Sequence, residues 1–150
     1  MEPSMRLLAA LLALIPVLSL AGCPTAGDDD DAVSNCTADN RPTISIVSPE
    51  TGEYYDSDET INWTLTVTDP DTPTDELTIT LADNSDSQGI DLGVNVPAPG
   101  GNGQTSFSMA ADLLDDGQAV VLVVVEDPDG CSANDSRLLC INEVIAPCTN

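Results

Sequence analysis

Short segments of alternating apolar and polar residues, between residues 43 and 142, constrain the fold of this chain more than any other feature. The clearest is Thr60 to Thr68, where the odd positions 61–67 are apolar and the even positions are polar. An alternation of period two is typical of a β-strand that buries one face. Clusters of Pro, Gly, Asp and Asn separate the segments, and these residues favour turns. The pattern predicts an all-β fold.

Seven strands are predicted from these segments. The weakest is Ile90 to Val96, whereas the continuous apolar run Ala119 to Val125 suits a central strand buried on both faces or nearly so. The segment Asp112 to Gly117 is predicted to be a turn. The other five predicted strands are Thr43 to Val47, Thr60 to Thr68, Leu77 to Leu81, Thr105 to Met109 and Ser136 to Asn142. Seven strands at a spacing of about ten residues predict a single immunoglobulin-like antiparallel β-sandwich, with an open barrel as the alternative.

Four turn motifs between residues 40 and 142 resemble those of bacterial immunoglobulin-like, PKD and cadherin-like modules. The motifs are Asn40-Arg41-Pro42, Val67-Thr68-Asp69-Pro70-Asp71, Leu114-Asp115-Asp116-Gly117 and Val125-Glu126-Asp127-Pro128-Asp129-Gly130. The resemblance implies the same sandwich fold. The chain departs from antibody domains because Trp63 lies on the second predicted strand and no cysteine pair brackets a Trp on the third.

The resemblance also implies a calcium site. In cadherin-like modules Asp-Asn-Xaa-Pro and Asp-Xaa-Asp belong to a calcium site between domains, and Asp39-Asn40-Arg41-Pro42 and Asp69-Pro70-Asp71 match half of it. Calcium takes about six to eight oxygen ligands. The candidate ligands, which the fold would gather at one end, are Asp39, Asn40, Asp69, Asp71, Asp127 and Asp129. The alternative is that these residues only form turns.

The N-terminal residues have the layout of an export signal. The apolar run Leu7 to Leu18 follows Arg6 and is too short for a membrane-spanning helix of roughly 20 residues. The next segment, Leu20-Ala21-Gly22-Cys23, resembles the lipobox of bacterial lipoproteins. The resemblance implies that Cys23 becomes the acylated first residue of the mature protein, with an ordinary secretory signal as the alternative. By analogy with other lipoproteins, Pro24 favours delivery to an outer membrane.

Three parts of the chain are therefore expected. Residues 1–22 form the signal peptide, with translation starting at Met1 or at Met5. Residues 23–35 form a lipidated tether whose four consecutive aspartates, at positions 28–31, should keep it solvated. Residues 36–150 form the sandwich. The expected localisation is an exported protein held on the cell envelope by lipid.

The charge of the chain excludes several functions. The net charge is −23, from 26 acidic and three basic residues, and there is no His. Such a surface repels nucleic acid and favours cations, cationic partners or plain solubility, although a saline habitat would select the same composition. Without His or Lys, the usual nucleophile and base pairs of hydrolases and Schiff-base enzymes cannot be assembled. An enzyme is not expected.

Four cysteines remain beyond Cys23, namely Cys36, Cys131, Cys140 and Cys148. An even number in an exported chain predicts two disulfides, for which three connectivities exist. In the sandwich topology the chain start and the loop before the last strand share one end. This topology favours the pairs Cys36 with Cys131 and Cys140 with Cys148.

The function expected from these features is adhesion or partner binding. The chain would be a membrane-anchored lipoprotein that presents a small acidic sandwich to an envelope protein or a glycan, with calcium as the candidate cofactor. The alternative is a structural spacer or an assembly subunit of an envelope complex. Tyr54-Tyr55, in a predicted loop, is either an exposed aromatic patch or part of a strand edge.

Overall fold

The computed structural model describes residues 36–143 of the 150-residue chain. Its eight strands are β1 (Thr43–Ser48), β2 (Glu53–Tyr55), β3 (Thr60–Thr68), β4 (Thr78–Asp83), β5 (Ile90–Asp91), β6 (Gln104–Ala110), β7 (Gly117–Glu126) and β8 (Ser132–Ile141). Two 3₁₀ turns, Thr74–Glu76 and Ala111–Leu113, lie between strands. Within this range no helix is long and apolar enough to span a membrane. The predicted signal peptide, Cys23, the tether to residue 35 and Cys148 lie outside the described residues.

The strands form two sheets that share one hydrophobic core. One sheet has the order β1-β3-β6 and the other has the order β2-β8-β7-β4-β5. All pairs are antiparallel except β2 with β8, which is parallel. The predicted two-sheet sandwich is confirmed, with eight strands in place of about seven.

The alternation in β3 places its apolar residues in the core. Ile61, Trp63, Leu65 and Val67 are all at most 1% exposed, and Phe107 of β6 stacks on Trp63 with ring centroids 6.1 Å apart. From the second sheet, Ala119, Val121, Val123 and Val125 of β7 complete the same cluster. Each fully buried Val, Leu or Ile side chain of this cluster contributes roughly 1.5–3 kcal/mol to stability relative to an exposed one.

The predicted central strand is confirmed, but only one of its faces is buried. The other face of β7 carries Val120, Leu122 and Val124, which are half-buried. The continuous apolar run therefore reflects a central position between β4 and β8 rather than burial between two layers. The opposite sheet covers only the inner face.

Three local predictions differ from the structure. The last strand was predicted to begin at Ser136, but β8 begins at Ser132, because its pairing with β7 extends to that residue. Ile90 to Val96 forms a ladder only at Ile90–Asp91, after which Leu92, Val94 and Val96 stay half-buried without strand pairing. Tyr54 and Tyr55 lie in β2 rather than in a loop, because β2 pairs with the distant strand β8. Tyr55 packs against the core, so strand-edge packing describes it better than an exposed patch.

The edge of β1 is closed by two side chains from the other sheet. The backbone N–H of Ile46 donates to Asp135 Oδ2 at 2.9 Å. Arg137 donates through Nε to the Pro49 carbonyl at 3.0 Å and through Nη2 to the Ile46 carbonyl. Arg137 Nη1 also lies 3.6 Å from Asp135 Oδ2. These contacts use backbone groups that an edge strand otherwise exposes to other chains.

Candidate functional site

One end of the sandwich, here called the disulfide pole, gathers most of the predicted site residues. It comprises residues 36–42, the loop 69–77 after β3 and the loop 127–131 between β7 and β8. The Cys36–Cys131 disulfide joins the first and last of these segments, with Cα atoms 5.3 Å apart. This predicted pairing is confirmed. Cys140 is also disulfide-bonded and fully buried, and its pairing with Cys148 stays a prediction because Cys148 lies outside the described residues.

Asp127 closes the loop between β7 and β8. Its side chain is only 5% exposed, and its Oδ1 accepts the backbone N–H of Cys131 at 2.8 Å. The backbone supports the same turn, since Asp127 N–H donates to the Cys131 carbonyl at 3.0 Å and Gly130 N–H donates to the Asp127 carbonyl at 3.1 Å. The carboxylate therefore fixes the position of Cys131 in the disulfide.

Asp69 organises the loop after β3. Its Oδ1 accepts the backbone N–H groups of Asp71 at 3.0 Å and Thr72 at 2.7 Å. Burial alone would raise the pKa of Asp69, but these hydrogen bonds outweigh it and hold that pKa below its ordinary value. The other oxygen, Asp69 Oδ2, is buried and has no hydrogen-bond partner within residues 36–143. A buried carboxylate oxygen without a partner carries a desolvation cost.

Four aspartates of the disulfide pole lie close enough to interact. The pKa of Asp71 is raised, first by its hydrogen bond with the Asp69 side chain, then by the loss of some surrounding water, and then by the negative charges of Asp69, Asp127 and Asp129. The structure thus brings the two predicted Asp-Pro-Asp loops together. A divalent cation there would offset the repulsion between these charges.

Asp39 and Asn40 belong to a local turn at the same pole. Asn40 Oδ1 accepts the backbone N–H of Thr37 at 2.6 Å and the Thr37 hydroxyl at 3.1 Å. Asp39 is exposed, and its backbone N–H donates to Thr37 Oγ1 at 3.3 Å. Asn40 Oδ1, a predicted calcium ligand, thus accepts two hydrogen bonds within its own turn.

The described part of the chain contains no group of three or more His, Cys, Asp or Glu side chains arranged to hold one metal ion. Asp69 and Asp127 each accept backbone N–H hydrogen bonds of their own loop through Oδ1. These contacts are the ones expected if the aspartates only form turns. The calcium site formed by Asp39, Asn40, Asp69, Asp71, Asp127 and Asp129 stays a prediction.

Charge is distributed unevenly over the strands. Strands β1, β3 and β6 contain no charged residue at all, so the carboxylates of this part of the molecule lie in loops. The outer face of this three-stranded sheet is here called the hydroxyl face. It carries Thr and Ser hydroxyls and two amides, from Thr60, Asn62, Thr64, Thr66 and Thr68 of β3 and Gln104, Ser106 and Ser108 of β6. Ser108 Oγ donates to Asn62 Oδ1 at 2.8 Å, and Thr64 Oγ1 lies 3.3 Å from Ser106 Oγ. Sequence reasoning missed this neutral face, although the strand compositions contain the signal.

No protein-family model matches the sequence, and no curated protein matches it. Among solved structures, the chain is similar to the fibronectin(III)-like modules of Clostridium thermocellum CbhA, with a TM-score of 0.50 and 14% identity. That match covers 68% of this chain and 47% of the other, so the chain spans about half of that structure. The titin M3 domain (TM-score 0.45, 15% identity) matches over 69% of this chain and 99% of its own length. The N-terminal Ig1-2 module of the Drosophila receptor protein tyrosine phosphatase DLAR (TM-score 0.46, 14% identity) matches over 69% of this chain and 50% of its own length.

The fold is an immunoglobulin-like or fibronectin-III-like β-sandwich. At this level of identity the similarity establishes the fold alone, because one sandwich architecture carries many unrelated functions.

Proposed function

We propose that this chain is a lipoprotein of the cell envelope that presents an acidic sandwich for binding a protein or glycan partner. The observation that carries the proposal is the Cys36–Cys131 disulfide, together with a second disulfide at Cys140. Disulfides persist in exported proteins and are rare in reducing compartments. They therefore support the same destination as the lipobox-like segment ending at Cys23.

The anchor is tested by mass spectrometry of the protein purified from envelope membranes. We expect the mature N-terminus at Cys23 with a diacylglyceryl thioether and an N-acyl chain, since one acyl chain alone binds membranes only reversibly. A Cys23→Ser variant should lose the lipid and leave the membrane fraction. The matched control Pro24→Ala keeps the cysteine and should remain acylated. An unmodified Cys23, or a retained leader, would refute the anchor.

The hydroxyl face is the surface on which we expect the partner to bind. It lets a partner approach without facing the carboxylates of the loops, and its hydroxyl and amide groups offer hydrogen bonds in both directions. A Ser106→Arg variant should weaken capture of the partner from detergent-solubilised envelope or from immobilised glycans. The control Thr80→Arg adds the same charge to an exposed strand position on the other sheet. Equal effects of the two variants would exclude this face.

The same capture experiment separates binding from the structural alternative. Binding only to glycans or to other cells supports adhesion. A stable stoichiometric envelope complex that survives both variants supports an assembly subunit or a spacer.

Calcium assistance is tested by thermal melting with Ca²⁺ and Mg²⁺ at equal ionic strength. If calcium binds at the disulfide pole, it should raise the Tm more than magnesium does, because calcium accepts irregular sets of about six to eight oxygens. Asp129→Asn should reduce the difference between the two ions, whereas Asp115→Asn, at the opposite end of the sandwich, should not. Equal shifts with both ions would leave only charge screening.

A further inference from the structure

We propose that the Cys36–Cys131 disulfide is a load bridge, which passes tension from the N-terminal side of the domain directly into β8 and leaves β1 to β7 unloaded. Its biological importance rests on the proposed anchoring, since a domain held by its N-terminal tether comes under tension when a pull acts on the chain beyond β8. The load path itself follows from the described residues alone.

Without the bridge, tension that enters at Cys36 reaches β1 first. β1 is an edge strand with a backbone ladder only to β3. Its contacts with the other sheet include the side chains of Asp135 and Arg137. Tension between Cys36 and the end of β8 would therefore cross from one sheet to the other through non-covalent contacts. Such contacts break under sustained force at a rate set by the unfolding barrier.

With the bridge, the load follows a covalent path. The Cα atoms of Cys36 and Cys131 are 5.3 Å apart, and β8 begins at the residue after Cys131. Tension then runs along the β8 backbone as far as Cys140, which is itself disulfide-bonded. A β-strand is already nearly fully extended, so this path contains little slack. β8 is also paired along its whole length with β7, from Ser132 to Ile141.

The bridge removes a long segment from the path of the load. The two cysteines are 95 residues apart in sequence, which corresponds to about 340 Å of extended chain at roughly 3.6 Å per residue. This segment contains seven of the eight strands and the whole hydroxyl face. Tension between Cys36 and the end of β8 therefore bypasses the surface proposed to bind the partner.

The proposal is tested by single-molecule force spectroscopy on the full chain. A Cys23→Ser background avoids a stray thiol, and handles are fused to both termini. Forces that unfold the reduced chain should not extend the oxidised chain by the roughly 340 Å that the segment between the two cysteines would add. The variant Cys36→Ser/Cys131→Ser should release that additional length. If the variant withstands the same force as the oxidised chain, other contacts carry the load and the proposal is wrong.

A second measurement asks whether the bypassed strands stay folded under load. The oxidised chain is held at constant moderate force while a phosphine reductant is added. If the sandwich is intact, reduction is followed by a delay, and then by the roughly 340 Å extension. If the sandwich has already opened, the extension comes at the moment of reduction, which overturns the proposal. This measurement needs no cysteine variant, so it stands even if the double variant fails to fold.

The test is also independent of the proposed function. Handles replace the tether, so an unacylated Cys23 in cells would refute the anchor and leave the load path intact. Opening of the sandwich under load would refute the load path and leave the anchor intact.

Discussion

Replacing Arg137 with Met should destabilise the domain far more than a surface charge change does. The side chain is 19% exposed and donates to the carbonyls of Ile46 and Pro49, which lie about 90 residues earlier in the sequence. Methionine preserves much of the apolar stem but donates no hydrogen bond. The change leaves both carbonyls, and the neighbouring carboxylate of Asp135, without the guanidinium.

The expected loss is about 3 kcal/mol. A hydrogen bond to a charged group contributes roughly 1.5–3 kcal/mol, and two such bonds connect Arg137 to the segment around β1. Water reaches part of the Arg137 side chain, so each of the two hydrogen bonds is assigned about 1.5 kcal/mol, the lower limit of that range. The ion pair with Asp135 adds little, because Asp135 is 31% exposed. For a domain of about a hundred residues, this loss lowers the Tm by about 12 °C.

The measurement is urea and thermal unfolding followed by circular dichroism, with Arg41→Met as the matched control. Arg41 is exposed, so its replacement changes the net charge equally and should cost less than about 0.5 kcal/mol. Arg137→Lys keeps the charge without the guanidinium fork and should fall between the two. If both methionine variants lose the same small amount, Arg137 acts only through net charge and the reasoning fails.

Three further predictions concern loops. Gly103→Ala should lower the free energy of unfolding in urea by about 3 kcal/mol, because φ is +75° there and an added Cβ would lie 2.2 Å from the backbone oxygen of Val67 in β3. The control Gly101→Ala has open space around the added Cβ and should be neutral. Equal effects of the two changes would contradict the steric argument. Asp127→Ala should cost about 2 kcal/mol, because it leaves the backbone N–H of the buried Cys131 without its acceptor. Asp129→Ala, at an exposed position of the same loop, should stay within about 0.5 kcal/mol in the same assay. The pKa of Asp69 is lower in the folded protein than its unfolded value of about 3.9, so the carboxylate stabilises the fold fully above that value and loses this effect as the pH falls through the folded pKa. The difference in unfolding free energy between wild type and Asp69→Asn should therefore shrink below about pH 4. A difference that is constant between about pH 7 and pH 2 would contradict this assignment.

The strands that the sequence predicted well are those with a strong local pattern. In Thr60–Thr68 a period of two and a polar opposite face specify both the strand and its buried side. The Cys36–Cys131 pairing was also predictable, because the sandwich topology places the chain start beside the loop before the last strand. At the disulfide pole, the Asp-Pro-Asp motifs correctly indicated which loops meet. They did not indicate which oxygens those loops use for their own turns.

Other features depend on partners that are distant in sequence. Glu53–Tyr55 has three residues and no period of its own, so only its pairing with Leu139–Ile141 makes it a strand. Ile90 to Val96 alternates correctly, yet the ladder ends after Asp91 and the continuing segment has no strand pairing. In both cases the backbone partner, not the local pattern, decides the secondary structure.

The sequence by itself determined an all-β domain, its buried strand faces and its acidic loops, because side-chain alternation and turn chemistry act between near neighbours. Tertiary structure decided the closure of β1 by Asp135 and Arg137, which join residues 89 and 91 positions apart. It also decided that the charge-free strands β1, β3 and β6 form one sheet and so produce a neutral face. Contacts across such separations depend on how the two sheets pack, and no local pattern encodes that arrangement.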